Sequence, residues 1–191
     1  MKVSKKAMGI SPSVTLEIDA KAKKLKADGL DVVGFGAGEP DFNTPRHVID
    51  AAVTAMDQGK TRYTPASGTL ELRQAICDKL LRDNGLTYQP SDIVVSNGAK
   101  HSLFNAFQAV LDPGDEVIVP AYTYCASAIP FGDLGAHIVW ADINKDTWTI
   151  DPDDFERKIT PKTKAVVAVH LLGIPCDMKR IVAIARRHGI K

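Results

Sequence analysis

The residues Ser96-Asn97-Gly98-Ala99-Lys100-His101 carry the clearest chemistry in this chain. Before them, the β-branched run Ile93-Val94-Val95 suits a strand buried on both faces of a parallel sheet. Asn97-Gly98 breaks that run, and Ala99 to Leu111 then sets Leu103, Phe104, Phe107 and Val110 on one side of a helix. A strand, a tight glycine turn and a helix start leave several backbone N–H groups unpaired and pointing outward. The helix dipole adds positive potential there, so the spot suits a dianion. Lys100 is badly placed for the dipole in the first turn, and a bound anion would account for it. The other reading is an ordinary strand–helix turn capped by Ser96 or Asn97, a common feature of α/β folds.

Two further places carry functional groups. Gly36-Ala37-Gly38-Glu39-Pro40 is a glycine-rich turn closing the short strand Val32-Val33-Gly34-Phe35-Gly36, and it looks superficially like a dinucleotide fingerprint. Pro40 and Pro45 bar a helix from opening where a pyrophosphate would need one, which argues against that reading. His170 ends the apolar run from Lys164 to Val169, on the carboxyl edge where α/β sheets hold ligands. A hydrogen-bonded structural histidine fits the same position equally well. Asp177 reads as the cap of the last helix.

These groups need elements to position them. Thr15 to Ala27 predicts a helix, stopped by Asp28-Gly29. Thr44 and Pro45 form an N-cap and first-turn pair for a helix running to about Gln58. Tyr63 to Gly68 is a loop, and a helix follows from about Thr69 to Asp83 with Leu70, Leu72, Ile76, Leu80 and Leu81 toward a core. Asp112-Pro113-Gly114-Asp115 turns the chain into the strand Glu116 to Val119. Residues 124–134 predict a helix that Pro130 either kinks or opens. Then come a strand from Ala136 to Ala141, a short helix from Asp151-Pro152 to about Ile159, the strand Lys164 to Val169, and an amphipathic helix from Asp177 to His188. This alternation predicts an α/β fold, a mostly parallel sheet flanked by helices.

Residues 1–13 read as an arm, and no repeat, low-complexity segment or linker divides the rest. Arg186 to Lys191 finishes a helix, supplies a glycine after it and begins what should be the next buried strand, so the sheet is expected to continue.

Composition limits the function classes. A chain of 191 residues with 45% hydrophobic and 25% charged residues can bury a core. Its net charge of +1 favours neither nucleic acid nor an anionic membrane. Cys77, Cys125 and Cys176 are odd in number and widely spaced, which points to a reduced, cytoplasmic setting rather than disulfides or a zinc site. The basic start lacks an apolar run behind it, and nothing reaches the roughly 18 apolar residues of a membrane span.

Three ordered motifs resemble the bacterial aspartate aminotransferases, pyridoxal 5′-phosphate enzymes of fold type I. They are Gly36 to Pro45, then Tyr63 to Gly68 with Glu71-Leu72-Arg73, then Ser96 to His101, and the likeness covers residues 1–120. After Pro120 the Pro-Tyr-Trp stretch and the Asn-Pro-x-Gly loop of that group are missing. Instead, Pro120 to Ala128, Trp140 to Ile143, Ile159 to Ala165 and Val169 to Gly173 resemble the sugar-nucleotide aminotransferases, a distant branch of the same fold. Leu172 departs from the aromatic residue expected in that branch's His-Leu-x-Gly motif. The change near residues 115–122 implies a join, in a chimera, a recombined sequence or a natural intermediate.

The resemblance implies the N-terminal part of a fold type I pyridoxal-phosphate transferase. Residues 1–45 would be an arm and a small-domain portion, and 46–191 an incomplete large cofactor-binding domain. Gly98, Ala99 and Lys100 would hold the cofactor phosphate. Tyr63 would reach the phosphate of the neighbouring subunit in a homodimer, or else pack on the surface. Tyr124 would stack on the pyridine ring, or else lie in the core. Gly38 would let its backbone approach the substrate carboxylate, and His170 would contact the cofactor. The imine lysine and the carboxylate that keeps the pyridine nitrogen protonated would fall beyond residue 191, since Lys100, Lys162 and Lys164 sit in other motifs. The implied reaction moves an amino group from a small-molecule donor to a 2-oxo acid or a keto-sugar, with the chain inactive on its own. The alternative is a catalytically silent α/β module that keeps only the fold.

Overall fold

Val117, Ile118 and Val119 are completely buried, and the sheet is built around the strand that contains them. In the computed structural model, which describes residues 3–11, 14–36, 38 and 40–191, the chain forms two compact units, Met1–Tyr63 and Thr64–Lys191. Residues 1, 2, 12 and 13 of the expected arm, and Ala37 and Glu39 of the glycine turn, lie outside the described residues.

The first unit holds helices α1 (Lys5–Met8), α2 (Val14–Ala27) and α3 (Arg46–Asp57). Helix α3 starts one residue later than the Thr44–Pro45 pair predicts. Pro45 has extended ψ of 139° and takes the N-cap place, without a side-chain cap. The strand expected over Val32 to Gly36 forms no ladder among the described residues.

In the second unit, α4 (Leu70–Asn84) is capped by Thr69, whose hydroxyl accepts the Leu72 N–H at 3.3 Å. It ends at Gly85, which has φ of 67°. Its inward stripe differs from the one predicted: Cys77 is buried and Arg73, Ile76 and Leu80 are half-buried, whereas Leu70, Leu72 and Leu81 face out. Leucine spacing alone cannot choose between two overlapping apolar faces of one helix.

After α5 (Ala99–Val110) come β1 (Glu116–Pro120), α6 (Ile129–Asp133), β2 (His137–Ala141), α7 (Pro152–Arg157), β3 (Thr163–Val166) and α8 (Met178–His188). The strands stand in the order β2-β1-β3, and both pairings are parallel, as predicted. Alternate residues of β1 serve opposite faces. Val117 and Val119 pack with Phe107, Leu111 and Phe131 beneath α5 and α6. Ile118 packs with Ile150, Phe155, Ile181 and Ile184 beneath α7 and α8. Burying each such side chain contributes about 2 kcal/mol, so β1 holds both helical layers to the sheet.

Local signals account for the remaining boundaries. Pro130 lies in the first turn of α6 rather than kinking it. Asp151 and Asp177 cap α7 and α8 by accepting the N–H groups of Asp153 and Arg180. Gly189, at φ of 69°, ends α8. Lys191 then donates to Lys164 O at 2.9 Å and accepts from Val166 N–H at 3.0 Å, the bonds of a parallel neighbour to β3.

Candidate functional site

The turn before α5 leaves backbone donors without acceptors among the described residues. Gly98 occupies the N-cap place at φ of 83°, a conformation suited to glycine, and nothing lies within 4 Å of where a Cβ would sit. Neither Ser96 nor Asn97 caps the helix. The Asn97 N–H donates instead to Nδ1 of His101 at 3.1 Å, and the Gly98 N–H to Ser96 O at 2.9 Å. Ser102 is the first residue whose N–H closes back, onto Gly98 O at 3.2 Å. Among the described residues, the N–H groups of Ala99, Lys100 and His101 find no acceptor. Of the two expected backbone donors, Ala99 is therefore free and Gly98 is engaged within the turn.

Ile93 to Val95 are extended but belong to no ladder among the described residues, contrary to the predicted strand. A strand requires a partner's hydrogen bonds, and β-branched residues express only a preference for them. This segment is held otherwise. Val95 N–H donates to Ser67 O at 3.0 Å, and a Cβ on Gly68 would stand 2.7 Å from Cγ2 of Val95. Arg73 bonds both sides, with Nε on Gly68 O at 3.2 Å and a terminal nitrogen on Pro90 O at 2.8 Å.

Beyond β1, the chain runs through Ala121–Tyr124 into a single 3₁₀ turn, Cys125–Ser127, and then into α6. Tyr124 is 68% exposed, so it is not a core tyrosine. It lines a cavity of about 290 Å³ together with Lys100, Leu103, Cys125, Ile129 and Pro130. The first turn of α5 and the segment after β1 thus meet at the carboxyl edge of the sheet.

His170 does not line this cavity. Strand β3 stops at Val166, short of the predicted Val169, and His170 is exposed beyond it. Its Nδ1 accepts the Cys176 N–H at 3.1 Å, which leaves Nε2–H as the donor of a neutral ring. The Cys176 thiol donates to Val169 O at 3.1 Å, and burial pushes its pKa up. Gly38 and Tyr63 belong to the first unit. Gly38 has open space around it, and Tyr63 is fully exposed.

Three features have no counterpart in the sequence reading. Trp148 and Leu172 hold left-handed backbone at φ of 60° and 54°, and both are exposed. Cys125 joins Lys100 and Tyr124 at the cavity. Buried Asp154 ties α7 to the end of β2 through the Asp142 N–H at 2.5 Å. Only Cys125 carried a signal, its place next to Tyr124. Among the described residues, no group of His, Cys, Asp and Glu side chains is arranged to hold a metal, and no helix is long and apolar enough to cross a membrane.

A parallel sheet flanked by helices, with an uncapped helix start and an exposed aromatic ring at one cavity, defines an α/β class of fold. Known proteins narrow that class to the fold type I aminotransferases. A Thermus thermophilus aspartate aminotransferase mutant superposes with a TM-score of 0.81 at 36% identity, over 100% of this chain and 52% of that one. Aspartate aminotransferase from Geobacillus stearothermophilus is 45% identical over 100% of this chain and 50% of its own length. The Bacillus subtilis aspartate aminotransferase is 46% identical over 87% of this chain and 43% of its own. The sequence profile of the DegT/DnrJ/EryC1/StrS aminotransferase family matches residues 66–191, and the chain belongs to that family. These are pyridoxal 5′-phosphate-dependent aminotransferases. The chain spans about half the length of the curated relatives it matches. The two likenesses overlap across residues 66–191 rather than meeting end to end.

Proposed function

We propose that this chain forms the cofactor-holding part of a pyridoxal 5′-phosphate-dependent aminotransferase that uses a small-molecule amino donor and a 2-oxo acid. The observation that carries this reading is the cavity shared by Lys100, at an uncapped helix start, and Tyr124. The bound cofactor supplies an electron sink for moving an amino group between carbon skeletons.

In this reading Ala99 and Lys100 donate backbone N–H groups to the phosphate, and the Lys100 ammonium offsets its charge. Gly98 joins them once its N–H leaves Ser96 O. Tyr124 covers one face of the ring, and His170 offers Nε2–H from the end of the segment that follows β3. Gly38 lets the backbone approach the substrate carboxylate, and Tyr63 serves the phosphate of the neighbouring subunit in a homodimer. Residues 1–45 act as arm and small-domain portion, and 46–191 as large-domain portion. The covalent lysine and the ring carboxylate come from the rest of a chain of the relatives' length. A 2-oxo acid is preferred to a keto-sugar as acceptor because the aspartate aminotransferase likeness runs the whole chain. Three free cysteines fit a reduced cytoplasm.

Binding of pyridoxal 5′-phosphate compared with pyridoxal tests the phosphate assignment. The wild-type chain should prefer the phosphorylated form. Gly98→Pro cannot adopt φ of 83° and should lose that preference. An unchanged preference in a folded Gly98→Pro protein would overturn the assignment.

A further inference from the structure

The proposed phosphate turn follows a segment, Ile93 to Val95, that has no sheet partner among the described residues. A turn that is to grip a dianion must hold its donors to within about 0.5 Å. The geometry points to the restraint. We propose that Arg73 is a positioning residue for this turn, locking the Ser67–Gly68 loop against Val95 and so directing the free N–H groups of Ala99 and Lys100. The proposal rests on the phosphate site described above and names what holds that site in register.

Arg73 is half-buried, and its partners are backbone carbonyls: Gly68 O at 3.2 Å and Pro90 O at 2.8 Å. No ion pair among the described residues involves it. A planar fork of donors can serve two carbonyls from different segments at once, which an ammonium on a flexible stem cannot do with the same geometry. One end of the clamp is Pro90, at the start of the 3₁₀ turn Pro90–Asp92 that leads into Ile93. The other is Gly68, whose neighbour Ser67 accepts the Val95 N–H at 3.0 Å.

The loop and the segment also touch without slack. A Cβ on Gly68 would lie 2.7 Å from Cγ2 and 2.9 Å from Cβ of Val95, and Gly68 has φ of 97°. Any shift of the loop toward Val95 must therefore move it. Val95 leads directly into Ser96, which accepts the Gly98 N–H, and Asn97, which donates to His101. The turn is braced internally by those two bonds and anchored externally by the Arg73 clamp.

Arg73→Met keeps the stem and removes the donors, while Arg73→Lys restores one of them. Two quantities are read: amide hydrogen exchange of the unliganded chain, and the ratio of pyridoxal to pyridoxal 5′-phosphate dissociation constants. Arg73→Met should speed exchange at Val95 while leaving core Ile118 unchanged, and should reduce the ratio by about tenfold, the weight of one charge-assisted hydrogen bond. Arg73→Lys should fall between. Equal acceleration at Val95 and Ile118, or equal weakening of both ligands, marks a merely structural arginine and overturns the proposal. So does a ratio that stays at the wild-type value. If wild type itself binds both ligands alike, the phosphate site fails, and this inference fails with it. Should Arg73→Met not fold, Gly68→Ala keeps Arg73 and displaces Val95 through the new Cβ. It must lower the ratio too, and full retention there overturns the role.

Discussion

Tyr122 meets Trp148 nearly edge to face, with ring centroids 5.9 Å apart and planes inclined at 76°. The two residues follow β1 and β2, so the contact joins two loops at the carboxyl edge of the sheet, two residues before Tyr124. Trp148 makes the contact from φ of 60°, where its N–H donates to Asn144 O at 2.7 Å.

Left-handed backbone costs a bulky residue about 1–2 kcal/mol, and an edge-on aromatic pair returns about 0.5–1.5 kcal/mol. Trp148→Ala should lose the ring contact and keep the strain, whereas Trp148→Gly loses both. Glycine at this position should therefore be the more stable of the two by about 1 kcal/mol. Urea unfolding followed by circular dichroism reads the difference. An alanine variant as stable as the glycine variant would show that the backbone at Trp148 is unstrained.

Asp154 is 2% exposed. Burial alone would raise its pKa, but the Asp142 N–H, Lys158 and Arg157 outweigh burial and hold it below the usual aspartate value. With a lowered folded value, the unfolded chain takes up the proton first. The stabilisation is thus present above the unfolded value and is lost as pH falls through the folded one. Asp154→Ala leaves the Asp142 N–H without its acceptor and should cost about 2 kcal/mol at neutral pH, and it should flatten the acid limb of the stability profile. Parallel acid limbs in wild type and variant would remove Asp154 from the account.

The three cysteines should separate by reactivity. Cys125 is exposed at the Lys100–Tyr124 cavity, while Cys77 and Cys176 are each 5% exposed. Burial also pushes the Cys176 thiol up, away from the reactive thiolate. A thiol reagent should label Cys125 first in the native protein, and all three only in denaturant. Pyridoxal 5′-phosphate should slow labelling of Cys125. Labelling that is unaffected by saturating cofactor would separate the cavity from the cofactor site.

What was legible in the sequence follows from which signals are local. Asp177 capped a helix and Gly189 ended one as read, and the helix starts read at Thr69 and Asp151 proved to be caps, because such signals act through neighbours in sequence. The run Glu116 to Val119 announced a strand, and it is one, with Val117 to Val119 completely buried. Val32 to Gly36 and Ile93 to Val95 offered the same residue types, yet ladder pairing depends on a partner that local sequence does not reveal. The glycine turn before α5 was legible from Asn97-Gly98. Its clamp was not, because Arg73 reaches it through carbonyls of Gly68 and Pro90, and a backbone acceptor has no residue signature. The left-handed Trp148 and Leu172 were equally hidden, since neither residue type favours that region.

The 191-residue polypeptide on its own should not catalyse amino transfer. The reaction needs a lysine that both anchors the cofactor and relays a proton at its reactive carbon. In the proposed site Lys100 would hold the phosphate rather than meet that carbon. Lys162 and Lys164 lie at the start of β3, level with Glu116 in the parallel register and therefore at the opposite edge of the sheet from Tyr124. No rate above that of free pyridoxal 5′-phosphate is expected for transfer to 2-oxoglutarate from aspartate, glutamate or an amino sugar. Weak colour with the cofactor is no sign of activity, because any exposed lysine can react with an aldehyde. A clear rate that is lost in Lys100→Ala and kept in Lys162→Ala and Lys164→Ala would show Lys100 at the reactive carbon. The phosphate would then have to be held elsewhere than at the Gly98 turn.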